Sequence, residues 1–272
     1  MICTLCPHHC DLKEGQTGFC LARMMKNNRI ISKNYGELTS LALDPIEKKP
    51  LYHFYPGSNI LSVGSYGCNL KCPFCQNASI SYDTGKNIFL TLTPDELVEQ
   101  ALSLKNRGNI GIAFTYNEPL VGYEFVLDTC KKAKHAGLKT VIVTNGMIEE
   151  EYLAPLLEYV DAMNIDLKGF KQEIYDVLKG DLETVKRTIT LASKKVHVEV
   201  TSLIVPTLND SIEEMKEEVQ WLSALDNIPV LHITRFFPRY KMTHLKPTSL
   251  KLIEEMVKTA KHYLPYVYRG NC

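Results

Sequence analysis

The chain has 272 residues, 45% of them hydrophobic, which is enough for one α/β barrel or two small domains with an ordinary core. Its 31 basic and 31 acidic residues cancel, which removes the electrostatic case for a nucleic-acid partner or an anionic membrane surface. The amino terminus has no basic region leading into a long apolar core, and no later run is long enough to span a bilayer, so the expectation is a cytoplasmic protein without a membrane partner.

The first twenty residues carry Cys3, Cys6, Cys10 and Cys20. Without a secretory signal, thiols grouped at ligand spacings point to metal and not to disulfides, and imply a reducing, anaerobic setting. Four thiolates satisfy a tetrahedral zinc ion, and they equally satisfy a second iron–sulfur cluster. His8 and His9 are read either as substitute ligands or as exposed loop histidines. Residues 1–58 form a cysteine-rich extension and an approach segment. Within it, Ile30–Ser32 and Leu41–Leu43 are strand-like, and the proline-punctuated stretch Asp44–Gly57 is placed near the barrel mouth.

A second cysteine group follows an apolar run, in Gly67-Cys68-Asn69-Leu70-Lys71-Cys72-Pro73-Phe74-Cys75. Three thiols in one loop match three corners of a cubane cluster, which takes four cysteines when fully protein-ligated. A fourth iron then stays open to an exchangeable ligand. No fourth cysteine or histidine lies close by, which argues against a closed zinc site.

From residue 59 onwards strand and helix patterns alternate. Apolar strands are predicted at Asn59–Val63, Ile110–Tyr116, Thr140–Asn145, Ala162–Leu167, Val196–Val205 and Val230–Phe237, separated by amphipathic helices. Thr93-Pro94-Asp95-Glu96 and Ser211-Ile212-Glu213-Glu214 read as capping boxes. Leu182, Val185, Ile189 and Ala192 share one helical face, as do Ile212, Met215, Val219 and Leu222, and both faces are assigned to core packing. Glu149–Glu151 reads as a solvated first turn. The fold class is therefore α/β: a partial (β/α)6 TIM-like barrel over residues 59–272, preceded by the metal-binding segment.

Ligands of parallel sheets bind at the carboxyl ends of the strands, so the polar residues there are the site candidates. They are Asn117 and Glu118 after the second strand, and Thr144 and Asn145, followed by Gly146, after the third. Asn164, Asp166 and Lys168 share one face of the fourth strand. Glu199 and Thr201 follow on the fifth, with His232, Thr234 and Arg235 on the sixth. A carboxylate and an amide at Glu118 and Asn117 can accept from a ligand ammonium.

Cys68, Cys72 and Cys75, with the aromatic Phe74 before the last, resemble the signature of the radical S-adenosylmethionine (SAM) superfamily. The context Ser65–Asn77 resembles the activating enzymes of pyruvate formate-lyase. Over essentially its whole length the chain is similar to the AmmeMemoRadiSam-type radical SAM enzymes. The resemblance implies a 4Fe–4S cluster whose open iron takes the SAM amine and carboxylate, with Phe74 near the adenine. It places Glu118 and Asn117 at the SAM amine, although the superfamily's two glycines are missing before Glu118. Thr144-Asn145-Gly146 resembles the Asp-Thr-Asn-Gly of the activating enzymes, with Val143 in place of the acidic residue, and Asp166-Leu167-Lys168 resembles their SAM-contacting Asp-Leu-Lys. Thr201 stands where they carry an arginine and Tyr240 where they carry a histidine; Arg235 is assigned to the cofactor as well. The implied activity is reductive cleavage of SAM to a 5'-deoxyadenosyl radical, used on a protein glycine or on a small molecule. The implied partners are a flavodoxin- or ferredoxin-like one-electron reductant and AMMECR-like and Memo-like proteins. The competing reading is a non-catalytic iron–sulfur or zinc scaffold.

Overall fold

The structure, a computed structural model, describes residues 1–272. The cysteine-rich segment leads into a hairpin, β1 (Arg23–Lys26) and β2 (Arg29–Ser32), then a short β3 (Glu37–Leu38) and β4 (Ser40–Pro45). After β5 (Asn59–Gly64) come α1 (Ala78–Ser81), β6 (Leu90–Thr91), α2 (Pro94–Ser103), β7 (Asn109–Phe114), α3 (Tyr123–His135), β8 (Lys139–Thr144), α4 (Glu150–Leu157) and β9 (Ala162–Asp166). The chain closes with α5 (Gln172–Leu178), α6 (Leu182–Ser193), β10 (His197–Ile204), α7 (Ile212–Ser223), β11 (Val230–Arg235), α8 (Leu250–Ala260) and β12 (Val267–Gly270).

One eight-stranded sheet runs in the order β12-β11-β10-β9-β8-β7-β5-β4. The neighbours from β5 to β12 are parallel, and β4 pairs antiparallel with β5. The sheet is thus a partial barrel with all six expected strands in place. Two more extend it. Leu41–Leu43 proves to be the middle of the edge strand β4, and β12 adds a seventh parallel strand. The four residues of β12 are too few to show a period, and docking on β11 defines them.

Period-two alternation sorts the strands into two faces. Leu61, Val63, Ile112, Phe114, Ile142, Met163, Ile165, Val200 and Ile233 lie in the main core with Leu97, Val126 and Ile189 of the helices. The opposite, concave face carries Ile60, Ala113, Val141 and Ala162, on which Ile46, Leu51 and Phe54 pack as a separate apolar cluster. Ile60 and Ala162 sit at the amino-terminal ends of their strands, and Pro45 pairs with Asn59 at the start of β5, so the stretch between β4 and β5 fills the end of the barrel away from the cysteine loop. That corrects its expected placement at the mouth. The reason lies in three buried apolar side chains, for which the small, apolar end of the concave face is the matching surface. Glu199 anchors the same segment. Fully buried, it accepts hydrogen bonds from the amides of Tyr52 (3.0 Å) and His53 (2.7 Å) and contacts His197 (2.9 Å) and His232 (2.6 Å). These four partners hold its carboxyl down at about 2 against the opposing effect of burial.

The helices start largely as expected. Thr93 and Glu96 exchange the reciprocal capping bonds. Ser211 caps α7, but Glu214 turns away from it to accept from the Phe170 amide at 2.6 Å, so the second box is half formed. Both assigned helix faces pack inward, with Leu182, Val185, Ile189, Ala192, Met215, Val219 and Leu222 all buried and Ile212 at the boundary. Glu149 departs from the solvated reading. Its amide donates to the Leu5 carbonyl (3.0 Å) and its carboxylate pairs with Arg187 (2.7 Å), which ties α4 to the cysteine-rich segment.

Candidate active site

The loop after β5 lies at the carboxyl end of the sheet and is fixed at nearly every residue. Gly67 has φ +93, a left-handed conformation that favours glycine. An added Cβ there would meet the Cys20 carbonyl oxygen at 2.7 Å. Asn69 is buried, donates to the Met147 carbonyl (2.7 Å) and accepts from the Asn145 side chain (2.9 Å). Tyr82 donates to the Cys72 carbonyl (3.1 Å). Lys71 donates to the Phe19 and Cys68 carbonyls (3.1 and 3.2 Å) and lies over the rings of Phe19 and Tyr82.

Two of the three thiols, Cys68 and Cys75, have polar company. The Leu70 amide points at Cys68 Sγ (3.3 Å), as does the Asn145 side-chain amide (3.7 Å), and Ser81 Oγ lies 3.7 Å from Cys75 Sγ. Burial raises the Cys68 thiol and pushes Cys72 up to about 11, so these sulfurs become thiolates when a metal displaces their protons. Three such sulfurs in one loop fit three corners of a cubane. No three Cys, His, Asp or Glu side chains close on the tighter geometry of a single ion.

Glu118 lies beside this loop, 4% exposed. It accepts from Thr144 Oγ1 (2.7 Å), the Asn145 amide (2.7 Å) and the Leu120 amide (3.0 Å). Burial drives its carboxyl up to about 7, with these three donors working the other way. A carboxylate has about four acceptor positions, so one remains for a ligand cation. Asn117, expected at the ligand amine, instead accepts from the Ser65 amide (3.0 Å) and donates to the carbonyls of Gly67 and Glu118 (both 3.1 Å). Its amide holds the loop. Gly146 has φ +74, a left-handed turn that favours glycine.

Asp166 and Lys168 are paired at 3.0 Å. Burial opposes the charge of Lys168, but Asp166 more than offsets this and its amine is raised. Asn164 accepts from Thr201 Oγ1 (3.0 Å) and donates to the Pro50 carbonyl (2.8 Å), which puts both on the concave face. Phe74 is buried in the main core. Arg235 donates to the Thr248 carbonyl (2.7 Å) and stacks on Phe237, at the rim. Tyr240, exposed and with φ +49, packs on Tyr82.

Cys3, Cys6, Cys10 and Cys20 come together on one small cavity, also lined by His8, Phe19 and Arg23. His9 is the exposed loop residue of that reading, 3.6 Å from Glu149, whereas His8 is half-buried: its Nε2 donates to the Asn69 carbonyl (2.7 Å) and its ring packs at a tilt on Phe19. Sequence reasoning missed Asn69, Lys71 and Tyr82, although two of them stand inside the cysteine motif. It also missed a trio in which buried Asp44 accepts from buried Lys49 (2.9 Å) and half-buried Tyr116 (2.7 Å).

A partial parallel barrel with three thiols after its first parallel strand and a buried carboxylate beside them defines a cluster-binding barrel enzyme. The chain belongs to the radical SAM superfamily, whose profile matches residues 62–222. It is 44% identical, over 99% of its length and 80% of the relative's, to an uncharacterized protein of Methanocaldococcus jannaschii. It resembles the pyruvate formate-lyase 1-activating enzyme of Escherichia coli K12, at 24% identity over 72% of this chain and 86% of that one. Its fold is that of a radical SAM methyltransferase from Sphaerobacter thermophilus, with a TM-score of 0.60 at 15% identity over 80% of this chain and 68% of that one. No helix is long and apolar enough to cross a membrane.

Proposed function

We propose that the chain binds a 4Fe–4S cluster through Cys68, Cys72 and Cys75, holds SAM against its open iron, and abstracts a hydrogen atom from a substrate. The observation that carries this reading is the buried Glu118 carboxylate, one acceptor position still free, stitched to Asn145, whose side chain reaches Cys68. When bound and reduced by an external one-electron donor, the cluster would supply one electron to the SAM sulfonium, to give methionine and a 5'-deoxyadenosyl radical.

The protein's own task is placement. Glu118 accepts from the SAM ammonium, Asn145 and Thr144 orient Glu118, and Asn117 fixes the loop from which Cys68 projects. Asp166 and Lys168 sit as a pair at the same strand ends, with Thr201 and Arg235 further round the rim toward the adenosine, and Phe74 behind the cluster loop. No acid or base is required to generate the radical; a radical this reactive needs a site that excludes water and fixes its target.

The substrate reading is a glycine of a partner protein, as the activating-enzyme likeness implies, with the electron delivered by a flavodoxin- or ferredoxin-like donor in the cytoplasm. AMMECR-like and Memo-like proteins are the first partners to test. A small-molecule substrate is the second reading. It is favoured by Val143 and Thr201, which replace residues of the activating enzymes, and by 26% identity to a 7-carboxy-7-deazaguanine synthase from Methanocaldococcus jannaschii over 77% of this chain. The test is anaerobic reconstitution, reduction with dithionite and assay of 5'-deoxyadenosine from SAM. Product formation supports the reading, and a loaded cluster that leaves SAM intact moves the chain to the scaffold reading.

A further inference from the structure

The cavity between Cys3, Cys6, Cys10 and Cys20 measures about 10 Å³, which is about the room that admits one water-sized sphere. With the four thiols on its wall, that volume bears on the metal they can hold. In a mononuclear zinc site each sulfur stands about 2.3 Å from the centre. A water-sized sphere keeps its own centre roughly 3.2 Å from a sulfur nucleus, so four zinc-spaced sulfurs leave no such void between them. Around a cubane the cysteine sulfurs stand about 4 Å from the cluster centre, and a void of this kind opens. The sulfurs accordingly do not close on a single-ion geometry, and neither do Cys68, Cys72 and Cys75.

A second observation is independent of the spacing. Arg23 lines the same cavity and is 5% exposed; its Nη1 is paired with Ser32 and Glu124, its Nε makes no hydrogen bond, and its guanidinium faces the Cys3 thiol. An orphaned buried N–H is costly, and a sulfide or thiolate in the cavity would accept it. The Phe19 amide already donates to Cys10 Sγ at 3.5 Å. Three of the four thiols are buried and Cys10 lies half-exposed, which gives the site an outward side.

We infer that Cys3, Cys6, Cys10 and Cys20 hold a second iron–sulfur cluster of the cubane class, with Arg23 Nε as a hydrogen-bond donor to its sulfur. It is a redox centre whose ligand residues adjoin those of the first. The Cys68 amide donates to the Cys20 carbonyl at 3.0 Å, so one ligand of each site is joined through a single peptide hydrogen bond. Lys71 spans the same junction, bonded to the carbonyls of Phe19 and Cys68. The electron-transfer role rests on the proposed radical SAM function; the cluster itself does not. Charging it takes one electron from the low-potential one-electron donor of that reaction, with no bond or proton exchanged.

The test uses the full-length chain, purified anaerobically, in three forms: wild type, the Cys68/Cys72/Cys75→Ala triple variant and the Cys6/Cys20→Ala double variant. Iron, sulfide and zinc are counted per chain, and dithionite-reduced samples are examined by electron paramagnetic resonance. The inference expects about eight iron and eight sulfide in wild type, and about four of each in either variant, with a cubane signal in the triple variant. A wild type with about four iron and one zinc, or a triple variant with zinc or no metal, overturns it. Should the triple variant not fold, the wild-type counts decide alone. Failure of the SAM-site reading shows separately, as a double variant without iron beside a triple variant that retains it. Arg23→Lys keeps the charge facing Glu124 but removes Nε, and the reduction potential of the second cluster should fall. An unchanged potential removes Arg23 from the site.

Discussion

The Asn145 amide donates to the Glu118 carboxylate at 2.7 Å, so the ends of β7 and β8 are joined through the one carboxylate positioned to face a ligand cation. Glu118→Gln removes that charge while keeping the side chain's volume. Charge-assisted hydrogen bonds contribute about 1.5–3 kcal/mol, so affinity for SAM should fall roughly tenfold or more. Equilibrium binding to the cluster-loaded, oxidised protein measures this, and iron content should stay at the wild-type value. Unchanged affinity would remove Glu118 from the cofactor site.

Asn69 is the clamp of the cluster loop, bonded to Met147 and Asn145 and touched through its own carbonyl by His8. In Asn69→Ala the Met147 carbonyl and the Asn145 amide lose buried partners, at a cost of about 1–3 kcal/mol for each unsatisfied group. The cluster should then bleach faster under a chelator, with all three cysteines still present. Bleaching at the wild-type rate would mean that Lys71 and Tyr82 suffice to hold the loop.

The parts of this site that could be read in the sequence are those that carry their meaning in spacing. The cysteine triplet, the strand-end carboxylate Glu118 and the Gly146 turn depend on local chemistry, and each stands where the pattern put it. What escaped depends on long-range partners. Nothing near Asn69 in the chain announces Met147, and Asp44, Lys49 and Tyr116 meet only because β4 pairs with β5. Asn117 is instructive in another way. Its position beside Glu118 invited a ligand role, while its side chain completes the backbone bonding of residues 65–67. The stretch Ile46–Phe54 was misplaced for a similar reason: its apolar residues show that it packs, and only the small side chains Ala113 and Ala162 across the sheet show where.

Cys72 is the most buried of the three loop cysteines, and its carbonyl is held by Tyr82. Removing a corner ligand leaves a cubane two protein thiolates. Cys72→Ala should abolish formation of 5'-deoxyadenosine in the reconstituted protein. Retained cleavage would overturn the assignment of the loop. Cys130, buried in α3 and not on the wall of the Cys3–Cys20 cavity, serves as the control: Cys130→Ala should leave product formation intact and cost about 1 kcal/mol of stability.

Glu199 makes a prediction about pH. Its carboxyl lies at about 2 in the folded chain, against about 4.3 in an unfolded one. A depressed carboxyl stabilises the fold fully above the unfolded value, where both states are ionised but only the folded one has His197, His232 and the two amides as partners. As pH falls from about 4.3 toward 2 the unfolded chain takes up the proton first, and the contribution is lost. Glu199→Gln should therefore be less stable than wild type at neutral pH, by about 3 kcal/mol for a broken buried pair. The gap should narrow as pH falls from about 4.3 toward about 2. Comparing the two proteins at matched cluster loading cancels the acid sensitivity of the metal sites, since both carry the same cysteines. Denaturant midpoints measured across that range give the result directly. Parallel profiles would show that Glu199 holds the segment between β4 and β5 by shape and hydrogen bonding, with no contribution from its charge.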